Sequence, residues 1–90
     1  MRTVFNSGQF RRDVKLAQKR GKDTSKLRDV AALLRDAQPL PPRLRDHQLS
    51  GDWKRCRECH IEPDWLLVYR LDGNDLHFVR TGTHSDLFQT

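Results

Sequence analysis

The sequence contains no long apolar run, and cysteine, proline and glycine are all scarce among its 90 residues. No window approaches the ~20 apolar residues that a membrane-spanning helix requires, and the N-terminus lacks the apolar stretch of a signal peptide. We therefore expect no membrane partner and a cytoplasmic location, where the two cysteines stay reduced. A chain of this length is expected to form one domain, residues 1–90, around a single modest core.

Positive charge dominates the sequence and is concentrated towards its N-terminus. Residues 1–35 contain ten Lys or Arg against three Asp or Glu, a net of +7, whereas residues 36–90 contain seven against nine, a net of −2. A basic half of this kind indicates a polyanionic partner, most often a nucleic acid. A solvated helical face would have the same composition, so charge alone leaves both interpretations open.

Two amphipathic helices are predicted in the basic half. Ser7 is a candidate N-cap for the first helix, which ends at Gly21, and Asp23 or Thr24 is a candidate N-cap for the second. Apolar residues recur at helical spacing in both segments, so each helix should bury one face. The predicted core positions are Phe10, Val14 and Ala17 in the first helix and Leu27, Val30, Ala31, Leu34 and Ala37 in the second. Together they would form a helical hairpin with a cationic outer surface.

The remaining segments have the pattern of a small sheet. Residues 65–71 are apolar on both sides, which is typical of a central strand. The predicted strands span residues 2–5, about 53–60, 65–71 and 76–81. Thr83 is a candidate cap for a short C-terminal helical turn, with Asp86 placed as in a capping box. The order predicts an α+β fold, with the helical hairpin packed on one face of a small antiparallel β-sheet.

A proline-rich loop from Pro39 to about Gly51 connects the helices to the sheet and includes Asp46 and His47. It is long for a connection without regular structure, and long loops in compact domains are often functional.

Cys56 and Cys59 form a C-x-x-C-H pattern with His60, which in other proteins attaches haem or contributes to a zinc site. A zinc site would need two further ligands from His47, His60 and His84. However, no Gly or Pro lies between the cysteines, and positions i and i+3 of a strand point to opposite faces. We therefore interpret both as buried free thiols and predict no metal and no cofactor.

Several polar residues have the chemistry that cleavage of RNA requires. The 2′-hydroxyl must lose a proton, the leaving 5′-oxygen must gain one, and the crowded phosphate needs a cation. Histidine exchanges protons near neutral pH, arginine stabilises phosphate charge, and aromatic rings stack on unpaired bases. The candidates are His47, His60, Asp64, Arg80 and His84, with Trp65 and Phe88 nearby.

These residues lie in segments that combine into a specific pattern. The segments are the run Asp13–Arg20, Leu40-Pro41 with Asp46-His47, Gly51-x-Trp53-Lys54, Arg57-x-x-His60-Ile61-Glu62-Pro63-Asp64-Trp65, and Arg80-Thr81-Gly82-Thr83-His84-x-x-Leu87-Phe88. The pattern resembles the YafQ-like branch of the RelE superfamily, the toxins of type II toxin–antitoxin pairs, over essentially the whole chain.

The resemblance implies a RelE-like fold and an endoribonuclease that cleaves mRNA in the ribosomal A site and is silenced by a cognate antitoxin. It also implies that the functional positions are His47, His60, Asp64, Arg80, His84 and Phe88, each identical in type here. Trp65 would support the site, stack on a base or simply anchor the core. Phe88 would stack on a base or only cover the sheet edge.

We expect metal-free acid–base cleavage in which the 2′-oxygen attacks the adjacent phosphate. His60, Asp64 and His84 form the expected proton-transfer set, with His47 assisting and Arg80 as the cation. The hairpin is expected to bind phosphates of 16S ribosomal RNA through Arg11, Arg12, Lys15, Lys19, Arg20, Lys22, Lys26 and Arg28.

Two competing hypotheses are a non-catalytic nucleic-acid-binding module and a zinc-stabilised module. One difficulty also stays open. Strict alternation puts Arg80 beside Leu76 and Phe78 on a core face, unless the strand outruns the helices or its register breaks near Gly82.

Overall fold

The computed structural model describes residues 1–88 and has the α+β class expected from the sequence. The strands are β1 (Thr3–Asn6), β2 (His47–Gln48), β3 (Arg57–Glu62), β4 (Trp65–Asp72) and β5 (Asp75–Gly82). The helices are α1 (Gly8–Lys19), α2 (Thr24–Arg35) and the short C-terminal α3 (His84–Phe88). No helix in the described range is both long and apolar enough to cross a bilayer.

The two long helices begin where their capping residues predict. The Ser7 hydroxyl accepts a hydrogen bond from the backbone N–H of Phe10 at 2.9 Å. The Asp23 carboxylate accepts one from the N–H of Ser25 at 3.0 Å, which selects Asp23 over Thr24 as the cap. Each bond satisfies one of the backbone donors that a helix start leaves without a partner.

The sheet has the strand order β1-β5-β4-β3-β2, with β4 at its centre as predicted. Three of its pairings are antiparallel, but β1 runs parallel to β5. Alternation of apolar residues shows which positions are buried and not which way a neighbouring strand runs. The purely antiparallel sheet expected from the sequence is therefore a mixed one.

The segment before the central hairpin differs from the expectation of a strand over 53–60. Gly51–Trp53 forms a 3-10 turn, and β3 begins only at Arg57 and continues to Glu62. The ring of Trp53 packs edge-on against Phe88, with 5.5 Å between centroids, and is therefore used outside the sheet. The preceding loop is also partly ordered, because it contains a 3-10 turn at Pro42–Leu44 and then β2.

Two apolar clusters lie on the two faces of the sheet. The larger one is between the sheet and the helices α1 and α2, and it contains Phe10, Ala17, Leu27, Val30, Leu34, Leu44, Cys59, Ile61, Trp65, Leu67, Tyr69, Leu76 and Phe78. The smaller one lies on the opposite face beneath α3, where Cys56, Leu66, Val68 and Leu87 are buried and Trp53, Val79 and Phe88 pack against them. Most of the predicted helix positions therefore do face the core.

The two cysteines belong to different clusters, Cys56 to the smaller and Cys59 to the larger. Both are buried free thiols, as the sequence indicated. Because the sheet separates them, their sulfurs cannot converge on one zinc ion. This placement speaks against the zinc-stabilised module in the form that uses both cysteines.

We predict that alkylating reagents will not modify Cys59 in the folded protein at pH 7.5. Burial raises the pKa of the Cys59 thiol to about 12, so almost no reactive thiolate forms, and the residue has no solvent contact. Mass spectrometry after iodoacetamide treatment should show labelling of Cys59 only in denaturant. Rapid labelling of Cys59 under native conditions would contradict this placement.

Candidate active site

Three histidines come together beside one end of the sheet. His47 is on β2, His60 is on β3, and His84 is the first residue of α3. The ring centroids of His47 and His60 are 6.0 Å apart, and those of His60 and His84 are 5.8 Å apart. The structure therefore places three of the predicted site residues in one row, although 37 positions of sequence separate the outer two.

Glu58 completes this row, and it is not among the candidates predicted from the sequence. Its Oε2 lies 3.0 Å from Nε2 of His47 and 3.6 Å from Nε2 of His60, and the residue is only 5% exposed. No hydrogen bond from the described residues reaches its other oxygen, Oε1. Glu58 is two positions before His60 in the same strand, so alternation would have put both on one face. A buried carboxylate oxygen without a partner is unusual and marks a candidate functional group.

The loop before β2 fixes the orientation of His47. Its Nδ1 lies 2.7 Å from the backbone carbonyl of Arg45, so Nδ1 must carry a proton and donate it. The opposite nitrogen, Nε2, faces the Glu58 carboxylate at 3.0 Å. Asp46 anchors the loop, because it accepts hydrogen bonds from the Tyr69 hydroxyl at 2.5 Å and from Arg57 at 3.0 Å.

Asp64 orients His84. Its Oδ1 accepts from the backbone N–H of His84 at 3.0 Å and contacts Nδ1 of the same ring at 2.7 Å. With Nδ1 as the donor to the carboxylate, Nε2 of His84 is free for a substrate. The two hydrogen bonds, the backbone one first, lower the pKa of Asp64 from its ordinary value. Asp64 is itself exposed in the two-residue turn between β3 and β4.

The start of α3 is held by the capping box that the sequence predicted. Thr83 N–H donates to Asp86 Oδ2 at 3.0 Å, and Asp86 N–H donates to Thr83 Oγ1 at 3.0 Å. Arg20 of α1 adds an ion pair to Asp86 at 2.6 Å, and these bonds lower the pKa of Asp86 to about 2. A Cβ at Gly82 would lie 2.9 Å from Asp86 Oδ2 and 3.1 Å from its Cβ, so the cap requires glycine there.

The position of Arg80 depends on a break in the register between β4 and β5. Val68 pairs with Arg80, but the next pair along is Tyr69 with Phe78, which leaves Val79 as an extra residue. The break therefore occurs at Val79 and not at Gly82, and it transfers Arg80 to the face occupied by Val68. Since Val68 also pairs with Glu58, the backbones of Arg80 and Glu58 are two strands apart, roughly 10 Å.

Asp13 of α1 holds the guanidinium of Arg80. The carboxylate is 7% exposed and accepts from Arg80 Nε at 2.7 Å and Nη2 at 3.3 Å. It also accepts from the backbone N–H of Thr81 at 3.1 Å and from the Gln9 side chain at 3.0 Å. The side-on pairing leaves the other N–H groups of Arg80 available to a phosphate. Asp13 is the first residue of one motif segment. However, an acidic residue on a predicted helix does not indicate that it pairs with an arginine 67 residues away.

The two aromatic candidates have different surroundings. Trp65 is 1% exposed in the larger cluster, and its Nε1–H donates to Thr81 Oγ1 at 2.9 Å. No face of this indole is open to a base. Of the roles expected for Trp65, its position therefore favours supporting the site over stacking on a base. Phe88 is partly buried against Trp53 at the edge of the smaller cluster.

The cationic residues of the hairpin divide into two groups. Three of them form ion pairs within the fold, namely Arg20 with Asp86 and both Lys22 and Lys26 with Glu62. Three others, Arg11, Lys15 and Lys19, have no acidic partner in the range 1–88. Arg28 has only a longer-range attraction to Asp23, and Arg12 bonds only to the Gln9 amide. This second group remains the better candidate for phosphate binding.

One group of side chains has the geometry of a metal site. The ligand atoms of His47, Glu58 and His60 all lie within 4.8 Å of one another. Two imidazoles and a carboxylate suit a divalent transition metal ion. These are also the groups best placed to exchange protons, so the same atoms would serve either role.

Comparison with known proteins decides the family. A family model described as "Bacterial toxin of type II toxin-antitoxin system, YafQ" matches residues 2–89. The chain belongs to the YafQ toxin family. The resemblance drawn from the motifs is thereby confirmed.

Individual relatives agree closely. The chain is 51% identical over 88 residues to the mRNA interferase toxin YafQ of Escherichia coli K12, covering 97% of this chain and 96% of the relative. It superposes on the toxin in the crystal structure of the E. coli DinJ–YafQ toxin–antitoxin complex with a TM-score of 0.89 and 51% identity, covering 97% of each chain. For a metal-bound toxin from Helicobacter pylori the TM-score is 0.91 at 44% identity, covering 98% of this chain and all of the other.

We predict that Asp13→Ala lowers the free energy of unfolding by about 2–4 kcal/mol. The change removes the carboxylate and leaves the Arg80 guanidinium and the Thr81 N–H without their acceptor. Urea unfolding curves would measure the loss. Asp29→Ala, at an exposed position of α2, is the matched control and should change stability by less than ~0.5 kcal/mol. Equal effects of the two variants would contradict the role given to Asp13.

We also predict that His84→Ala raises the pKa of Asp64 while leaving it below the ordinary value. The variant loses the imidazole hydrogen bond but keeps the backbone N–H, which is the larger cause of the shift. Since the folded pKa is lowered, Asp64 stabilises the native state above its unfolded pKa, and this contribution is lost as pH falls through the folded pKa. NMR titration of the carboxyl carbon would measure the shift, and an unchanged pKa would refute the contact.

Proposed function

We propose that this protein is an endoribonuclease that cleaves mRNA on the ribosome as the toxin of a toxin–antitoxin pair. The observation that carries the proposal is the row of His47, Glu58, His60 and His84, with Asp64 orienting its last member. Proton acceptors and a proton donor are thus held side by side at the edge of a cationic protein. The relative from E. coli K12, which is named an mRNA interferase, supports the same activity.

The geometry suggests which group accepts and which donates a proton. Glu58, between two imidazoles, with an oxygen that no described residue binds, is the proposed acceptor for the 2′-hydroxyl proton, directly or through His60. The bond formed is from the 2′-oxygen to phosphorus, and the bond broken is from phosphorus to the 5′-oxygen. His84 is the proposed donor to that leaving oxygen, because Asp64 binds its Nδ1 and leaves its Nε2 open to a substrate.

Arg80 is the proposed cation for the phosphate in the transition state. Its pairing with Asp13 limits the motion of the guanidinium, so less conformational entropy is lost when it binds phosphate. Its backbone lies two strands from that of Glu58. The product of these steps is a 2′,3′-cyclic phosphate and a free 5′-hydroxyl.

Binding to the ribosome is proposed to use the outer surface of the helical hairpin. Residues 1–35 have a net charge of +7, and the cations without an acidic partner within the fold lie on that surface. Contacts of this type to ribosomal RNA phosphates weaken steeply as salt increases. A cognate antitoxin is the second proposed partner, by analogy with the DinJ–YafQ complex.

Catalysis is proposed to need no metal, because protein groups supply every proton transfer. His47, Glu58 and His60 would nevertheless fit a divalent ion, and one relative is a metal-bound toxin. An ion held there would act as a Lewis acid, but it would also occupy the atoms proposed to accept the proton. Added zinc should therefore inhibit, whereas treating the protein alone with a chelator before the assay should leave cleavage unchanged.

The test is cleavage of a defined mRNA on purified translating ribosomes. We predict that His84→Gln and Glu58→Gln each lower the single-turnover rate by about 10²–10⁴, the usual contribution of a general acid or base. His77→Gln is the matched control, since His77 stacks on Phe5 outside the row and should leave the rate unchanged.

Four assay conditions test the proposal. Wild-type protein is assayed with ribosomes, without ribosomes, after treatment of the protein alone with EDTA followed by removal of the chelator, and with added zinc. Full cleavage by the His84→Gln variant would rule out the proposed acid. Loss of cleavage after the EDTA treatment of the protein would rule out the metal-free mechanism, and binding without cleavage by the wild type would favour the non-catalytic module.

A further inference from the structure

A cleft of about 320 Å³ opens beside His60. Arg43, Leu44 and Arg45 form one wall, and residues 60–63 form the other. Its volume is at the lower end of the range typical of small-ligand sites. The row of histidines thus continues into a concave surface that the proposed proton transfers do not use.

The charge of this cleft is positive. Arg43 and Arg45 are exposed, and among residues 1–88 neither has an acidic partner. The carboxylate that lines the cleft belongs to Glu62, and it is held by Lys22 at 2.8 Å and Lys26 at 2.9 Å. These two lysines lower the pKa of Glu62 and offset its charge. A ligand in the cleft would therefore meet two arginines whose charge nothing in the fold compensates.

The backbone at one of these arginines has an unfavourable conformation. Arg45 has φ 51° and ψ 42°, the left-handed region, which is unfavourable for a residue other than glycine. Leu44, 2% exposed, anchors the turn in the core, and the Arg45 carbonyl accepts the Nδ1 proton of His47. Glycine or asparagine would adopt this conformation more easily, so an arginine here suggests a use for its side chain.

We propose that this cleft is a subsite for the nucleotide adjoining the scissile phosphate, with that nucleotide's phosphate bound by Arg43 and Arg45. Guanidinium groups match phosphate oxygens in geometry and charge, and His60 belongs to both the cleft and the catalytic row. The left-handed turn would couple the two, because it positions Arg45 and His47 together. This subsite rests on the proposed ribonuclease function.

Binding is tested apart from cleavage, with a short RNA that has a 2′-deoxy sugar at the scissile position and so cannot react. Arg43→Gln and Arg45→Gln should each weaken binding about three- to tenfold. The double variant should also flatten the plot of log affinity against log salt, by ~0.7 for each phosphate that the protein no longer binds. Arg55→Gln, an exposed arginine in a separate cleft with Arg70, is the matched control and should behave like the wild type.

Cleavage of the unmodified RNA then separates this subsite from the proposed function. Raised KM with unchanged kcat in the double variant supports the subsite. Wild-type affinity and salt dependence in the double variant, or an equal loss in Arg55→Gln, overturns it while leaving the nuclease intact. Unchanged RNA binding with lost binding of the antitoxin would overturn it in favour of a protein contact. If the wild type binds the RNA but cleaves no mRNA on translating ribosomes, the nuclease proposal fails and the binding data still decide the cleft.

Discussion

The rest of the structure depends on burying the central strand on both of its faces. Residues 65–69 of β4 are almost inaccessible to solvent, so both faces of the sheet need a cover. The helices α1 and α2 provide one cover, whereas among residues 1–88 the other face is covered by the five-residue α3 and the 3-10 turn at Gly51–Trp53. Because this second cover is small, part of that face stays polar. The row of histidines and Glu58 occupies the uncovered part.

Hydrogen bonds, more than apolar packing, orient the titratable residues of this row. A carbonyl of the strained turn at Arg45 selects the tautomer of His47, and Asp64 binds both the amide and the ring of His84. The capping box beneath His84 is tied in turn to α1 through Arg20 and Asp86. Proton-transfer groups held this way lose little conformational freedom when a substrate arrives, which is what acid–base catalysis requires.

The same end of the molecule contains the features that stability alone does not explain. The ion pair between Asp13 and Arg80 contains a carboxylate that is buried away from water. Glu58 is also buried, and no described residue binds one of its two oxygens. Pairs and groups of this kind rarely stabilise a fold more than apolar residues of similar size would. Their concentration beside the histidines, together with a left-handed arginine, agrees with a functional site whose local cost the apolar core offsets.

Much of this architecture was determined by the sequence on its own. Helix starts at Ser7 and Asp23, the doubly buried β4 and the cap at Thr83 all depend on neighbours within a few residues, and the family motifs predicted most of the residues of the candidate site. Only the tertiary structure decided the parallel pairing of β1, the extra residue Val79 that turns Arg80 to the other face, and the partners of Asp13 and Glu58. The physical reason is the separation along the chain of the residues that interact. Caps and periodicity act between residues close in the chain, whereas strand direction, register shifts and buried ion pairs arise from contacts between segments far apart in it.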